Sequence, residues 1–551
     1  MNRHRLAGLA FLCFISVSCL CSKSRIADGG ASETTNGITA RIVYSDSASC
    51  GNAVVRIRRQ DYVALPPLST GKMVARLDSS TNGNGYLHVT TLDTGSYFIE
   101  VNDNHGNATA LPVILKNEGD TIALGKKTIR KTGVLIGKIP GISHTTLFAQ
   151  IRGLERIAMV DSGKFIFNDL PAGKFVLCFA TDSLASISSL TDSVEIISGD
   201  TTTLNNITVF AYSKSFSLNT TQSGADVSET IFNFPLLIRL TSQDFDFSTA
   251  NATGNDIVIV QGERRLAFEI EQWDVQNQQA QLWVRLDTVL GNSNSQVIRM
   301  LWGNVSYVSA GASEKVFDTA TGFQGVWHFD EAGDAPCLDA TVNNHIGTCY
   351  GMNPTSSQAG IIGKCRIYDG VSSYFQMHGS ASSTLNFDPN GIYSVSAWVR
   401  IDTLDTTNHV VVSKGNEQYF LKVKYDSLFK IPVWQFAQYS NSQIWEFSQA
   451  PSTVGSWHYV VGVRNNDRQY LYVDGTLADS GLTTMSGILP REVGNDLTIG
   501  RYIQAITATT NEGFCYFRGA IDEVCISSIA RSSAWIKLCY MNQKQYDGLV
   551  Q

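Results

Sequence analysis

The chain has 551 residues with 46 glycines, 10% aromatic residues and only 17% charged residues, and its formal net charge is −7. The length predicts roughly three to four domains. The acidic balance excludes a nucleic-acid partner, which needs a basic stripe. No apolar run reaches the ~18 residues of a membrane-spanning helix. Helical periodicity is nearly absent, and short runs of alternating polar and apolar residues dominate, so the fold class is all-β. At the N-terminus, Arg3 and Arg5 precede the apolar run "LAGLAFLCFI" (6–15), the pattern of a signal peptide over residues 1–18.

The next residues, "SVSC" (16–19), resemble the lipobox of bacterial lipoproteins, although Ser16 stands where that family usually has Leu. The resemblance implies export and lipidation of Cys19. Leu20 after it points to the outer membrane or cell surface. Multiple acyl chains on one terminus give the stable anchoring that a single chain does not. Residues 19–34, small and polar, read as a lipid-anchored tether.

Residues 35–130 alternate in runs such as "NGITARIVYSDSASCGNAVVRIRRQDY" and carry "NGNGYLHVTTLDTGSYFIEVN" (82–102). The order G-x-L…L-x-x-G-x-Y resembles the transthyretin-like or carboxypeptidase-regulatory-like β-sandwich. A second copy over 131–212 carries "VDSGKFIFNDLPAGKFVLCF" (160–179). Two tandem sandwiches acting as spacers are implied.

Residues 213–308 alternate again and predict a third antiparallel sandwich. Phe234-Pro235, Asp256-Ile257, "EIEQW" (269–273) and Trp283-Val284 resemble an uncharacterised bacterial family that often precedes LamG domains. Period-2 alternation puts Glu269 and Glu271 on one strand face, read as two solvated acids on an open strand.

Residues 309–551 contain "GVWHFDE" (325–331), "YSVSAWVRID" (393–402), "WHYVVGVRNNDRQYLYVDG" (457–475) and "GAIDEV" (519–524). The 457–475 stretch predicts a hairpin closed by a polar turn, with Asp474-Gly475 making a second tight turn. In that order the motifs resemble the LamG/concanavalin-A-like lectin-glucanase jelly roll. Ser532 is expected to cap a terminal helix that packs Trp535 and Leu538 back on the sandwich.

Three kinds of chemistry bear on this last segment. Glycosidases of the jelly roll carry E-x-D-x-x-E or E-x-D-x-E on one strand, and no such string occurs. Asp522 and Glu523, adjacent on a strand, are expected on opposite faces, wrong for a shared acid/base site. The chain is therefore read as not an enzyme. A structural calcium is implied by the resemblance, with Asp330, Asp339 and Asp522 as its oxygen ligands. The loop "DATVNNHIG" departs from the family pattern by replacing Ser-Gly with Thr341-Val342. In "VWQFAQYSNSQIWEFSQ" (433–449), Trp434 with Phe436 and Trp445 with Phe447 form paired aromatic faces that read as core, as does Trp457. Gln435, Gln438, Tyr439 and Asn441 are assigned to a polar face or loop, and any sugar contacts to loops 403–409 or 504–512. Cys337, Cys349, Cys365, Cys515, Cys525 and Cys539 are expected in disulfides, with 15 pairings open.

The sequence thus predicts a multi-domain, all-β, exported surface protein, a chain of antiparallel β-sandwiches ending in a concanavalin-A-like jelly roll. The expected function is non-catalytic binding of a polysaccharide or cell-surface glycan. The alternatives are an adhesive or structural stalk and, behind it, a glycan-active hydrolase.

Overall fold

In the computed structural model the described residues lie within 36–551. Excepted are 66–76, 91, 118, 141–146, 182–185, 190–192, 263, 305, 310, 389–390, 416–417, 429, 440–444, 484–493 and 504–513. The signal segment, Cys19, the tether and loop 504–512 fall outside the described residues. Among those described, the α-helices are the short Ser313–Val316 and the terminal Ser533–Gln543. None is long and apolar enough to cross a membrane.

The first two sandwiches repeat one plan. Gly37–Val43 pairs antiparallel with Tyr86–Thr90 and parallel with Thr121–Thr128. Gly133–Lys138 does the same with Lys164–Leu170 and Thr201–Leu204. The repeated L-x-x-G motif also has a common backbone: Gly95 and Gly173 adopt φ of 150° and 149°, in the range that favours glycine. Each sandwich closes its own core. Ile38, Val55, Ile99 and Val101 fill the first, while Leu135, Phe165, Phe167 and Phe179 fill the second.

The third sandwich stacks Ile231–Thr241, Gln279–Val289 and Phe268–Asp274 over Tyr212–Leu218, Gln296–Trp302, Val258–Gln261 and Arg264–Arg265. The fourth is a jelly roll of an eight-stranded and a seven-stranded antiparallel sheet. The predicted hairpin is Trp457–Asn465 with Arg468–Val473, turned at Asn466 (φ 57°). Asp474 (φ 51°) and Gly475 (φ 76°) make the next two-residue turn, into Thr476–Leu482. Between the two sheets lie Trp434, Phe436, Val412, Leu421 and Val460.

The outer face of the eight-stranded sheet is not solvated. Trp398, Tyr459, Val461, Val463 and Tyr472 on that face share one core with Phe234, Leu236, Trp283 and Phe317 of the third sandwich and its following linker. The terminal helix is wedged into the same core. Ser532 Oγ accepts the Trp535 N–H at 3.2 Å, as its capping role predicts, and Trp535 packs edge-on against Phe234 at 6.0 Å. The helix therefore fills a seam between two sandwiches rather than folding back on one. Asn542 extends the seam by a backbone-like pair with Leu237, accepting its N–H at 2.8 Å and donating to its C=O at 3.0 Å.

Several sequence expectations are corrected here. Among the described residues no disulfide joins the cysteines, which stand on separate strands or pack into cores; Cys337, Cys365 and Cys539 are fully buried as small apolar groups. Trp434 is core, with no exposure, but Phe447 is 46% exposed, because Ala437 opposite it belongs to the outer face. Trp445 lies in the same strand, with its side chain outside the described residues. Trp457 is half-buried at the margin of the shared core, under the Arg400 guanidinium. Gln438 is buried, not in a polar loop, and accepts the Tyr393 hydroxyl inside the jelly roll at 2.9 Å.

Candidate functional site

Two β-bulges decide the chemistry of the seam. In Phe268–Asp274 the register slips between Ile270 and Gln272, opposite Leu282 and Gln281, so Glu271 is the extra residue and departs from simple alternation. In Arg518–Ser527 the register against Ile392–Ile401 slips between Ser396 and Trp398. On its other edge the same strand changes partner, from Lys364–Asp369, which stops at Ile521, to Phe323–Trp327, which starts at Val524. Asp522 and Glu523 occupy the gap, and Glu523 adopts φ 51°, uncommon for a residue with a side chain.

These bulges gather what alternation would separate. His328, just past Phe323–Trp327, has Nδ1 2.9 Å from Glu523 and 3.8 Å from Glu271, while its Nε2 is 3.6 Å from Glu269. Trp283 stacks on the imidazole at 5.8 Å and donates its Nε1–H to Glu271 at 2.7 Å. Phe317 closes a further side at 5.2 Å. Asp522 accepts the amides of Ile361 and Ile362 at 2.8 and 3.1 Å. Two glycines make room: a Cβ on Gly363 would lie 2.5 Å from Glu271 Oε1, and one on Gly360 2.3 Å from Asp522 Oδ2.

The reading of Glu269 and Glu271 as solvated acids is thus corrected, since the Glu271 side chain has no solvent exposure and that of Glu269 only 18%. So is the assignment of Asp522 and Glu523 to opposite strand faces, because both are buried in one cluster. Burial and the neighbouring Glu523 push the Glu271 and Asp522 carboxyls well up. Glu523 is raised by burial against the pull of His328. Burial works to lower His328, but Glu523 and Glu269 overcome it and hold the imidazole well above its ordinary value.

The implied calcium set does not assemble. Both Asp339 oxygens already accept hydrogen bonds, from the N–H of Val326 on the neighbouring strand and, within its own loop, from the N–H groups of Thr341 and His345 and the Thr341 hydroxyl. Among the described residues, the group whose ligand atoms converge is Glu271, His328 and Glu523, within 4.8 Å of one another. Asp330 instead lines a cleft beside that group. The cleft has a volume of about 460 Å³ and is open to solvent between the two sandwiches. Gln272, Trp273, Asp274 and Gln276 form one wall, and Asp330, Gly363 and Lys364 the other.

Sequence alternation could not show this site, because both strands break their period where it forms. The glycines Gly360 and Gly363, flanking the Ile361-Ile362 pair, were the one local signal.

A family model described as the concanavalin A-like lectin/glucanases superfamily matches residues 369–537, and one described as a domain of unknown function, DUF2341, matches residues 253–341. The C-terminal sandwich is a concanavalin A-like domain, and a DUF2341 domain stands before it. The DUF2341 match runs through the first strand of the jelly roll to include His328, so Glu271 and His328 fall in one match and Glu523 in the other. No curated protein matches the chain. Among solved structures, domain 4 of AbnA, an extracellular arabinanase from Geobacillus stearothermophilus, in complex with arabinotriose, is 19% identical. It covers 39% of this chain and 97% of that one, with a TM-score of 0.29. The CBM40 of the Ruminococcus gnavus IT-sialidase, bound to α2,3-sialyllactose, is 9% identical over 30% of this chain and 90% of that one, with a TM-score of 0.23. The botulinum neurotoxin serotype C1 binding domain is 13% identical over 40% of this chain and 52% of that one, with a TM-score of 0.31.

Proposed function

We propose that the protein is an exported, lipid-anchored surface protein that binds a polysaccharide without cleaving it, and that the ligand lies in the cleft between the DUF2341 and concanavalin A-like domains. The match to a lectin/glucanase superfamily supports the ligand class, and the cleft carries the location. Its walls offer the mixture sugar hydroxyls need: amides at Gln272 and Gln276, carboxylates at Asp274 and Asp330, an ammonium at Lys364, and the partly buried indole of Trp273. The outer face of the seven-stranded sheet is a poorer candidate. Phe420 and Ala437 on two of its adjacent strands are covered, clustered with Tyr502 and Cys515. Binding without hydrolysis is supported by the burial of Glu271 and Glu523, whose carboxylates are engaged with Trp283 and His328 rather than offered across open space.

The test is retention of the purified chain on a panel of insoluble polysaccharides and in affinity gels. Gln272→Ala and Gln276→Ala should each weaken retention several-fold with no change in melting temperature. If the wild type is retained by none, the stalk alternative replaces this function. If new reducing ends appear, it is a hydrolase.

A further inference from the structure

The seam cluster has too few positive charges for its acids. Glu269, Glu271 and Glu523 surround a single imidazole, and Asp522 is buried beside Glu523. The nearby, partly buried Arg239 gives its hydrogen bonds to carbonyl oxygens, at 2.9 Å to Asn542, 2.5 Å to Gln543 and 3.5 Å to Ile361, and reaches the acids only through space. Lys364 donates to the Asp330 carbonyl at 2.8 Å. Four atoms in the cluster are buried with no hydrogen-bond partner: Glu269 Oε2, Glu271 Oε1, His328 Nε2 and Asp522 Oδ1. Buried charge in a dry site is tolerated when it is paired or bound to a metal.

We propose that Glu271, His328 and Glu523 bind one divalent transition-metal cation of the zinc class, pinning the DUF2341 domain to the first and last strands of the concanavalin A-like domain. The donor set favours this class over calcium, because imidazole suits zinc, cobalt and iron, whereas calcium takes oxygens alone. The geometry also divides the roles. Nδ1 of His328 faces both Glu523 and Glu271, so it is the ligand nitrogen. Nε2 faces Glu269 and would donate its proton there, the carboxylate–histidine–metal arrangement that fixes ring orientation. The ligand atoms lie within 4.8 Å of one another, so side-chain rotation brings them onto metal bonds of about 2.0–2.2 Å.

The full chain, stripped with chelator and dialysed, is titrated with Zn²⁺ by calorimetry and with Co²⁺ by visible absorption, and its melting temperature is followed in parallel. One high-affinity equivalent that raises the melting temperature is expected. Glu271→Gln and Glu523→Gln, near-isosteric changes checked for folding by circular dichroism, should each weaken it at least tenfold. His328→Asn should abolish the cobalt band. The free thiols can also take zinc, so the variants decide. Absence of a high-affinity equivalent in the wild type, or unchanged binding in the folded variants, overturns the proposal. Polysaccharide retention is a separate readout, so loss of the proposed function leaves this result standing.

Discussion

The chain has two charged seams, and they are balanced differently. Between the first two sandwiches, Arg58 bonds Asp78 at 2.9 Å and Glu155 at 2.6 Å, and Arg156 reaches Glu100 at 2.5 Å and Asp169 at 3.3 Å. Three guanidiniums, counting Arg56 at 3.9 Å from Glu155, meet four carboxylates there, and Asp78 and Asp169 are more than half exposed and need no compensation from protein. Only Glu100 is deeply buried, and it has its own arginine. Between the third and fourth sandwiches, three deeply buried acids meet one histidine inside a shared apolar core. The first seam joins two modules that each have a core. The second is the interior of one unit, whose charge is completed by protons or by a cation.

The largest expected effect breaks the second seam from its apolar side. Trp283→Ala leaves a cavity under His328 and orphans Glu271, costing at least ~3–5 kcal/mol. In calorimetry it should lower the transition of the two C-terminal sandwiches together, whereas Phe165→Ala should lower only that of the second sandwich. The first seam is broken from its charged side by Arg156→Met, which strands Glu100 and should cost ~3–5 kcal/mol of N-terminal stability. A sharper contrast comes from removing one acid at each seam, measured in chelator. Glu100→Gln loses a buried ion pair and should destabilise. Glu271→Gln keeps an acceptor for Trp283 Nε1 while removing an excess charge, and should leave the melting temperature unchanged or higher.

The smallest effect lies outside both seams. In the turn after Lys364–Asp369, Asp369 is partly buried, yet the Ser372 hydroxyl and the amides of Val371, Ser372 and Ser373 hold its carboxyl well below the usual range. The folded state favours the ionised form, so this contribution is complete above the ordinary aspartate value and is lost as pH falls through the depressed one. Asp369→Asn should therefore be less stable than wild type at pH 6, with the gap shrinking as the solution is acidified.

Alternation and turn chemistry made the sheets legible: the Asn466 turn, the Asp474-Gly475 turn and the Ser532 cap stand where those rules put them. The core position of Trp434 followed from its place beside Phe436 on one face. The candidate site was not legible, for a physical reason. Period-2 reasoning holds only while register holds, and Glu271 and Glu523 sit at register slips. Trp457 departs from its expected core place for another reason, while Trp535 packs on Phe323 of the jelly roll as expected and also on Phe234 of the neighbouring sandwich. Sequence marks a residue as apolar, but not which of two adjoining cores it enters. Here the outer face of one sandwich is the inner face of a larger unit.

The central claim is that the DUF2341 and concanavalin A-like domains fold as one unit around a common core. Differential scanning calorimetry of a 213–551 fragment tests it most directly. A single two-state transition is predicted, with calorimetric and van't Hoff enthalpies equal, while a 309–551 fragment, deprived of Phe234, Leu236 and Trp283, should show no cooperative transition. Two separate transitions in the longer fragment, one coinciding with a cooperative melt of the shorter, would contradict it.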